Sequence, residues 1–236
     1  MKVLAIESSG LVAGAAIVTP EKVIGEYSTN FKKTHSQTLL PMVDALLKMT
    51  GTPIEDIDAA AVSGGPGSFT GLRIGSATAK GFALALGIPI VSVPTVDSIA
   101  YNLCGSPYLV CPLMDARRNQ TYTGLYTFKG QDMTCLSPQK AVPVEDIIAE
   151  INAMGRETVF LGDGVPVFRD VIEEKVKVPH FYAPVHLGVQ RPASLGALAL
   201  RYLDQGRIVS GGDHMPVYLR PSQAERVRAQ AKGQKA

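Results

Sequence analysis

Ser63-Gly64-Gly65-Pro66-Gly67-Ser68-Phe69-Thr70-Gly71-Leu72-Arg73-Ile74-Gly75 is the stretch that decides the fold. An apolar run at 59–62 leads into it and a helical pattern over 72–86 leads out. The segment therefore reads as strand, glycine-rich turn, helix. Glycine permits positive φ and lets another backbone or a phosphate come close. Ser68 and Thr70 are helix-capping residue types, and a helix start leaves free N–H groups that suit an anion. Spacing rejects two common phosphate motifs. No lysine follows the glycines as a P-loop requires, and Thr70 stands where the dinucleotide fingerprint needs its third glycine. Two readings stay open here: a turn that buries a helix close against a strand, and a phosphate-facing loop.

The helix that follows is rich in small residues: Gly75, Ser76, Ala77, Ala79, Gly81, Ala83 and Ala85. An interior glycine costs about 1 kcal/mol relative to alanine, which implies a packing reason. Upstream, apolar runs at 3–6, 13–18 and 23–28 read as a β-meander. Its first turn, Glu7-Ser8-Ser9-Gly10, carries an acid and two hydroxyls. Such a turn can hold a phosphate or a hydrated cation, or be an ordinary polar turn. Ser36 is the expected cap of a helix whose Leu39, Leu40, Val43, Leu46 and Leu47 form one apolar stripe, with Pro41 kinking its first turn. Residues 88–93 form a strand, and Thr95-Val96-Asp97 opens a short helix through Leu103.

The second half repeats the pattern. Strands are expected at 108–114, where Asp115 closes the run, along Tyr122, Gly124, Tyr126 and Phe128, and at 133–137. A helix at 143–154 has Glu145 and Asp146 in its first turn, where the helix dipole favours acids. A strand at 158–161, a helix at 165–174 and a last helical stripe (Leu195, Leu198, Ala199, Tyr202, Leu203) follow, with a short extended piece at 216–220. The expected division is 1–103, a second subdomain at 104–206, and a C-terminal segment and basic tail at 207–236 that packs back near the first subdomain.

A chain of 236 residues buries roughly 70–75% of its unfolded surface and needs no staples. Net charge is only +2, against wholesale coating of nucleic acid. The tail residues Arg220, Arg226, Arg228, Lys232 and Lys235 with Glu225 sum to +4 and leave the rest near −2. No aromatic interleaves with them, so a solvated end is favoured over a nucleic-acid patch. Three cysteines without C-x-x-C fit a reducing compartment. Neither a signal peptide nor a membrane-spanning run is expected, and the expected location is cytoplasmic. The four histidines form no i, i+4 pair and there is no G-x-S-x-G elbow. Glu7 and Asp115, at strand ends, are the acids best placed for phosphate or cation chemistry.

Two meander-plus-helix halves resemble the duplicated actin-like ATPase fold (α/β, ribonuclease H-like, two subdomains). Leu4-Ala5-Ile6-Glu7-Ser8-Ser9, His35-Ser36-Gln37-Thr38-Leu39-Leu40-Pro41, the glycine-rich stretch, Val93-Pro94-Thr95-Val96-Asp97-Ser98-Ile99-Ala100, Asp115-Ala116-Arg117 and residues 216–220 narrow the likeness. Together they resemble the bacterial TsaB (YeaZ) family, paralogous to TsaD. The resemblance implies a non-catalytic, activating subunit of the complex that adds a threonylcarbamoyl group to the adenosine beside the anticodon of tRNAs reading A-starting codons. It implies TsaD and TsaE as partners, a homodimer, contact with tRNA only through the complex, and no membrane. TsaC supplies threonylcarbamoyl-AMP in that pathway. No cofactor is implied for this chain; ATP or ADP and Mg belong, if anywhere, to the assembled complex.

TsaD carries a metal-binding H-x-x-x-H where this chain has Thr95 and Ile99, and isoleucine cannot ligate a metal. The acid after the first strand is Glu7, where the fold commonly has aspartate. The resemblance places association on the first two helices, with Leu39, Leu40, Val43, Leu46, Leu47, Arg73, Ser76, Ala79, Lys80 and Ala83 as interface candidates. It leaves Glu7, Ser8, Ser9 and Asp115 as nucleotide-facing candidates. The alternatives are a stand-alone ATP-dependent enzyme, a kinase or carbamoyltransferase, and a metalloprotease.

Overall fold

The computed structural model describes residues 1–31 and 34–220. The expectations for Glu225, Arg226, Arg228, Lys232 and Lys235 lie outside the described residues. The chain opens with an antiparallel meander, β1 (Val3–Glu7), β2 (Ala13–Val18) and β3 (Val23–Thr29). α1 (His35–Thr50), β4 (Ala59–Ser63), α2 (Phe69–Leu86), β5 (Ile90–Val93) and α3 (Thr95–Ala100) follow. β4 joins β1 in parallel and β5 joins β4, giving the order β3-β2-β1-β4-β5.

The second half runs β6 (Leu109–Asp115), β7 (Gln120–Lys129), β8 (Asp132–Pro143), α4 (Val144–Met154), β9 (Thr158–Leu161), α5 (Val165–Lys175), β10 (His180–Tyr182) and α6 (Pro192–Asp204). Its sheet order is β8-β7-β6-β9-β10, the same topology again. This duplication is the actin-like architecture, two α/β subdomains with corresponding strands.

Alternation along β1, β2 and β4 puts apolar side chains on both faces of the first sheet, whose edge strand β3 is exposed to half-buried. Val3 and Ala5 of β1, Ala16 and Val18 of β2, and Ala59 and Ala61 of β4 face one apolar layer. Leu4 and Ile6, Ala15 and Ile17, and Ala60 and Val62 face the other. A sheet covered on both faces reads as continuous apolar runs. α1 and α2 cover the second layer.

The first layer is covered by α6, through Leu195, Leu198, Ala199 and Tyr202. This corrects the expected boundary at residue 206: α6 follows the second sheet in sequence but packs on the first. The small side chains Ala5, Ala16 and Ala61 leave a shallow face, and Gly196 brings α6 close to Ala5 and Val18. α1 begins one residue before the expected cap. Thr34 is its N-cap and caps without a side-chain bond, so Ser36 lies inside the helix.

Candidate functional site

The C-terminal ends of β1, β4, β6 and β9 point into one cleft, the usual ligand position on such sheets. It is a cavity of about 360 Å³. Ser9–Leu11 lines it from the first subdomain, with Gly67 to Phe69 beside them; Asp115 to Arg118 and Asp163 line it from the second, and Arg220 completes the rim.

The turn after β1 is built from buried bonds. Glu7 is fully buried and accepts from Ser9 N at 2.7 Å, Ser9 Oγ at 2.5 Å and Ser63 Oγ. Burial pushes the Glu7 carboxyl above its usual range, with the Ser63 and Ser9 hydrogen bonds opposing that shift. Ser8 Oγ donates to the Gly71 carbonyl at 2.8 Å. Ser68 N donates to the Ser9 carbonyl at 2.7 Å, and Ser68 Oγ caps α2 by accepting from Gly71 N. His35 Nε2 lies 2.8 Å from the Gly10 carbonyl, which accepts its proton. The turn thus pins the N-termini of both α1 and α2.

These contacts correct the reading of Glu7 and Ser8 as nucleotide-facing. Both side chains are consumed inside the first subdomain, and Ser9 reaches the cleft while its hydroxyl serves Glu7. His35 and Ser63, which complete this network, were not singled out as functional by their spacing. His35 stands in a quoted motif, but only the fold brings it to Gly10.

The glycine-rich stretch resolves mainly to packing. A Cβ on Gly71 would strike the Ser8 carbonyl, and one on Gly75 would strike Ser8 Oγ. Gly65 has φ +105° and lies against the Val217 carbonyl. Gly67, Ser68 and Phe69 reach the cleft. Gly71→Ala is therefore expected to cost about 2 kcal/mol by overpacking, read as a lower denaturation midpoint at unchanged slope.

Across the cleft, Arg117, Arg118 and Asn119 have φ of 64°, 58° and 57°, three successive left-handed residues. Such residues are costly without glycine. The turn is braced by Asp115, which accepts from Arg117 N at 2.7 Å and pairs with Arg117 Nη1 at 3.0 Å. Asp163 accepts from Asp115 N at 3.4 Å, and burial raises its carboxyl pKa. Arg118 is exposed and makes no hydrogen bond or ion pair among the described residues. The cleft therefore offers cationic groups and a helix start to an anion. Of the nearby acids, Glu7 is turned inward and saturated, Asp115 is paired with Arg117, and Asp163 lines the cleft beside it.

Thr95 and Ile99 are fully buried on α3, Ile99 among Val96, Met114 and Tyr122. Cys111 is buried, and burial pushes its thiol up to about 12, so it is inert.

The interface candidates divide sharply. Leu39, Val43, Leu46, Ala79 and Ala83 are buried in the chain's own core. Ser76 is buried too, with Oγ 3.0 Å from His214 Nε2. These six are corrected to core, because one stripe of each helix must cover the sheet. Leu47 and Lys80 are half-buried, while Leu40 and Arg73 are exposed. Two further apolar side chains on these helices are exposed, Met49 at 83% and Leu84 at 70%. Their signal was present: each lies on its helix off the buried stripe. Gly81 also faces open space.

A protein-family model described as TsaD, tRNA N6-adenosine threonylcarbamoyltransferase, matches residues 22–226. The tRNA threonylcarbamoyladenosine biosynthesis protein TsaB of Bacillus subtilis is 34% identical over 225 residues, 95% of this chain and 96% of the relative. TsaB of Escherichia coli is 28% identical over 223 residues, 93% of this chain and 95% of the relative. The solved structure of YeaZ from Pseudomonas aeruginosa superposes with a TM-score of 0.79 at 26% identity, covering 92% of this chain and 99% of that one.

Proposed function

The chain belongs to the TsaB (YeaZ) family, and from that premise we propose that it is the non-catalytic, activating subunit of the tRNA threonylcarbamoyladenosine machinery. It docks a TsaD-like catalytic subunit through the outward faces of α1 and α2, and pairs with a second copy of itself on the same surface. TsaE joins the assembly, and tRNA is reached through the complex. The chain needs no cofactor of its own; ATP or ADP with magnesium belongs to the assembled complex. The cytoplasm, where tRNA is modified, is its proposed location. Among the described residues no helix is long and apolar enough to cross a membrane.

The observation that carries this reading is the contrast between the cleft and the helix pair. Glu7, Ser8 and Asp115 are spent on holding their own turns. On α1 and α2, Leu40, Met49 and Leu84 stand exposed beside that rigid support. Large apolar side chains left exposed on these two helices are what a protein partner would cover.

A second reading, a stand-alone ATP-dependent enzyme, draws on Arg118 and the α2 start at the cleft. Reconstituted modification decides between them. tRNA, threonine, bicarbonate and ATP are combined with TsaC, TsaD and TsaE, with and without this chain. Modified adenosine is expected only with the chain, and no ATP turnover by the chain alone. Equal modification without it, together with turnover by the isolated chain, would put the enzyme reading first.

A further inference from the structure

Residues 207–220 leave α6 and cross most of the molecule. Val209 bridges to Ile90 at the edge of the first sheet. The segment then runs along α2. Gly211 packs near Ala83 and Leu84, Lys80 Nζ donates to the Gly212 carbonyl at 3.3 Å, and His214 meets Ser76. Val217 N donates to the Gly64 carbonyl at 2.7 Å. Tyr218 stacks on Phe69 with ring centroids 4.3 Å apart, and Arg73 Nε donates to its hydroxyl at 3.2 Å. Each of these contacts is with the first subdomain.

The next two residues change sides. Leu219 packs against the apolar cluster that joins Met114, Ala116 and Tyr122 of the second subdomain to Val96 and Ile99 of α3. Arg220 Nη1 donates to the Ala116 carbonyl, and to the Arg117 carbonyl at 3.2 Å. These are carbonyls of the left-handed turn, and Arg220 lines the cleft itself. Besides the Asp115 brace, the turn's own backbone bonds are Ala116 N to Gln120 O at 2.9 Å and Gln120 N to Arg117 O at 3.2 Å.

We infer that residues 207–220 form a latch, anchored on α2, whose Leu219 and Arg220 hold the second subdomain's β6–β7 turn against the first across the mouth of the cleft. The subdomains are also joined through α3, where Tyr126 and Tyr202 both donate to Asp97, at 2.7 and 3.0 Å. A charged donor serving two carbonyls at once is a strong tie; without it Ala116 O loses this partner and Arg117 O keeps Gln120 N. The latch sets how far the cleft opens and holds Arg117 and Arg118 in place. This inference stands apart from the proposed partner.

Hydrogen–deuterium exchange by mass spectrometry tests it on the full chain, on Arg220→Ala, and on chains ending at Arg220 or at Tyr218. Exchange at 116–120 is expected to rise at least tenfold in Arg220→Ala and in the chain ending at Tyr218. The chain ending at Arg220 should match the intact protein, and exchange in β1 and β4 should not change in Arg220→Ala. A rise below twofold in Arg220→Ala would overturn the latch, as would an equal rise in the chain ending at Arg220. Should the chain ending at Tyr218 fail to fold, Arg220→Ala still decides, since it deletes one side chain from a half-exposed position.

Discussion

Glu7→Ala should melt roughly 10 °C below the wild type, while Glu7→Gln should stay close to it at neutral pH. The alanine variant strands two hydroxyls and an amide that Glu7 now satisfies inside the first subdomain. A buried donor left without an acceptor costs about 1–3 kcal/mol. Relief from burying a charge offsets part of that sum, leaving a net loss of about 3–5 kcal/mol. Glutamine keeps an oxygen for Ser9, and its amide can donate to Ser63 Oγ, whose hydroxyl rotates. The pH dependence separates the two effects. Burial raises the folded-state pKa of Glu7, so at pH values between the unfolded and folded pKa the native chain holds a proton that the unfolded chain has lost. Stability from this group is full below the unfolded value of about 4.3 and falls as pH rises through the folded value. Glu7→Gln lacks that fall. Its melting temperature relative to wild type should therefore climb between pH 4 and pH 8, measured by calorimetry. A flat difference would mean that Glu7 titrates normally and that its burial is of no consequence.

What the chain reveals in sequence follows from how its side chains meet solvent. β4 and β9 were legible because buried central strands are short apolar runs. β8 was expected only at 133–137, but it runs from Asp132 to Pro143. It is an edge strand, so its polar residues and Pro138 carry no alternation to read. β10 has three residues, His180 to Tyr182, too few for any pattern. The two-layer assignment of α6 depends on which sheet offers a shallow face, and sequence order does not carry that. At the site, acids and hydroxyls beside a strand end look the same whether they face a ligand or each other. Glu7 proved to face Ser9 and Ser63, and Ser8 the Gly71 carbonyl. His35 and Arg220 became visible only when distant segments met at Gly10 and at Ala116.

Met49→Asp combined with Leu84→Asp is expected to leave the chain folded and to weaken its association at least a hundredfold, about 2.7 kcal/mol. Leu46→Asp, by contrast, should abolish folding. The three positions lie on the same two helices, and burial alone separates them. Leu46 is only 5% exposed and packs against the first sheet with Leu39, Val43 and Ile17. A carboxylate there has no partner and no water, a cost above about 4 kcal/mol that a domain of ordinary stability does not survive. Met49 and Leu84 are turned outward, so an aspartate at either is solvated and should change stability by about 0.5 kcal/mol or less. In an interface the same aspartates would be desolvated against apolar side chains. Circular dichroism establishes the fold of each variant. Sedimentation of the chain alone, and capture by TsaD, establish the association. If the double variant assembles as tightly as wild type with both partners, the α1–α2 face is not the docking surface. If it loses only one of the two, the homodimer and the TsaD contact occupy different parts of the molecule.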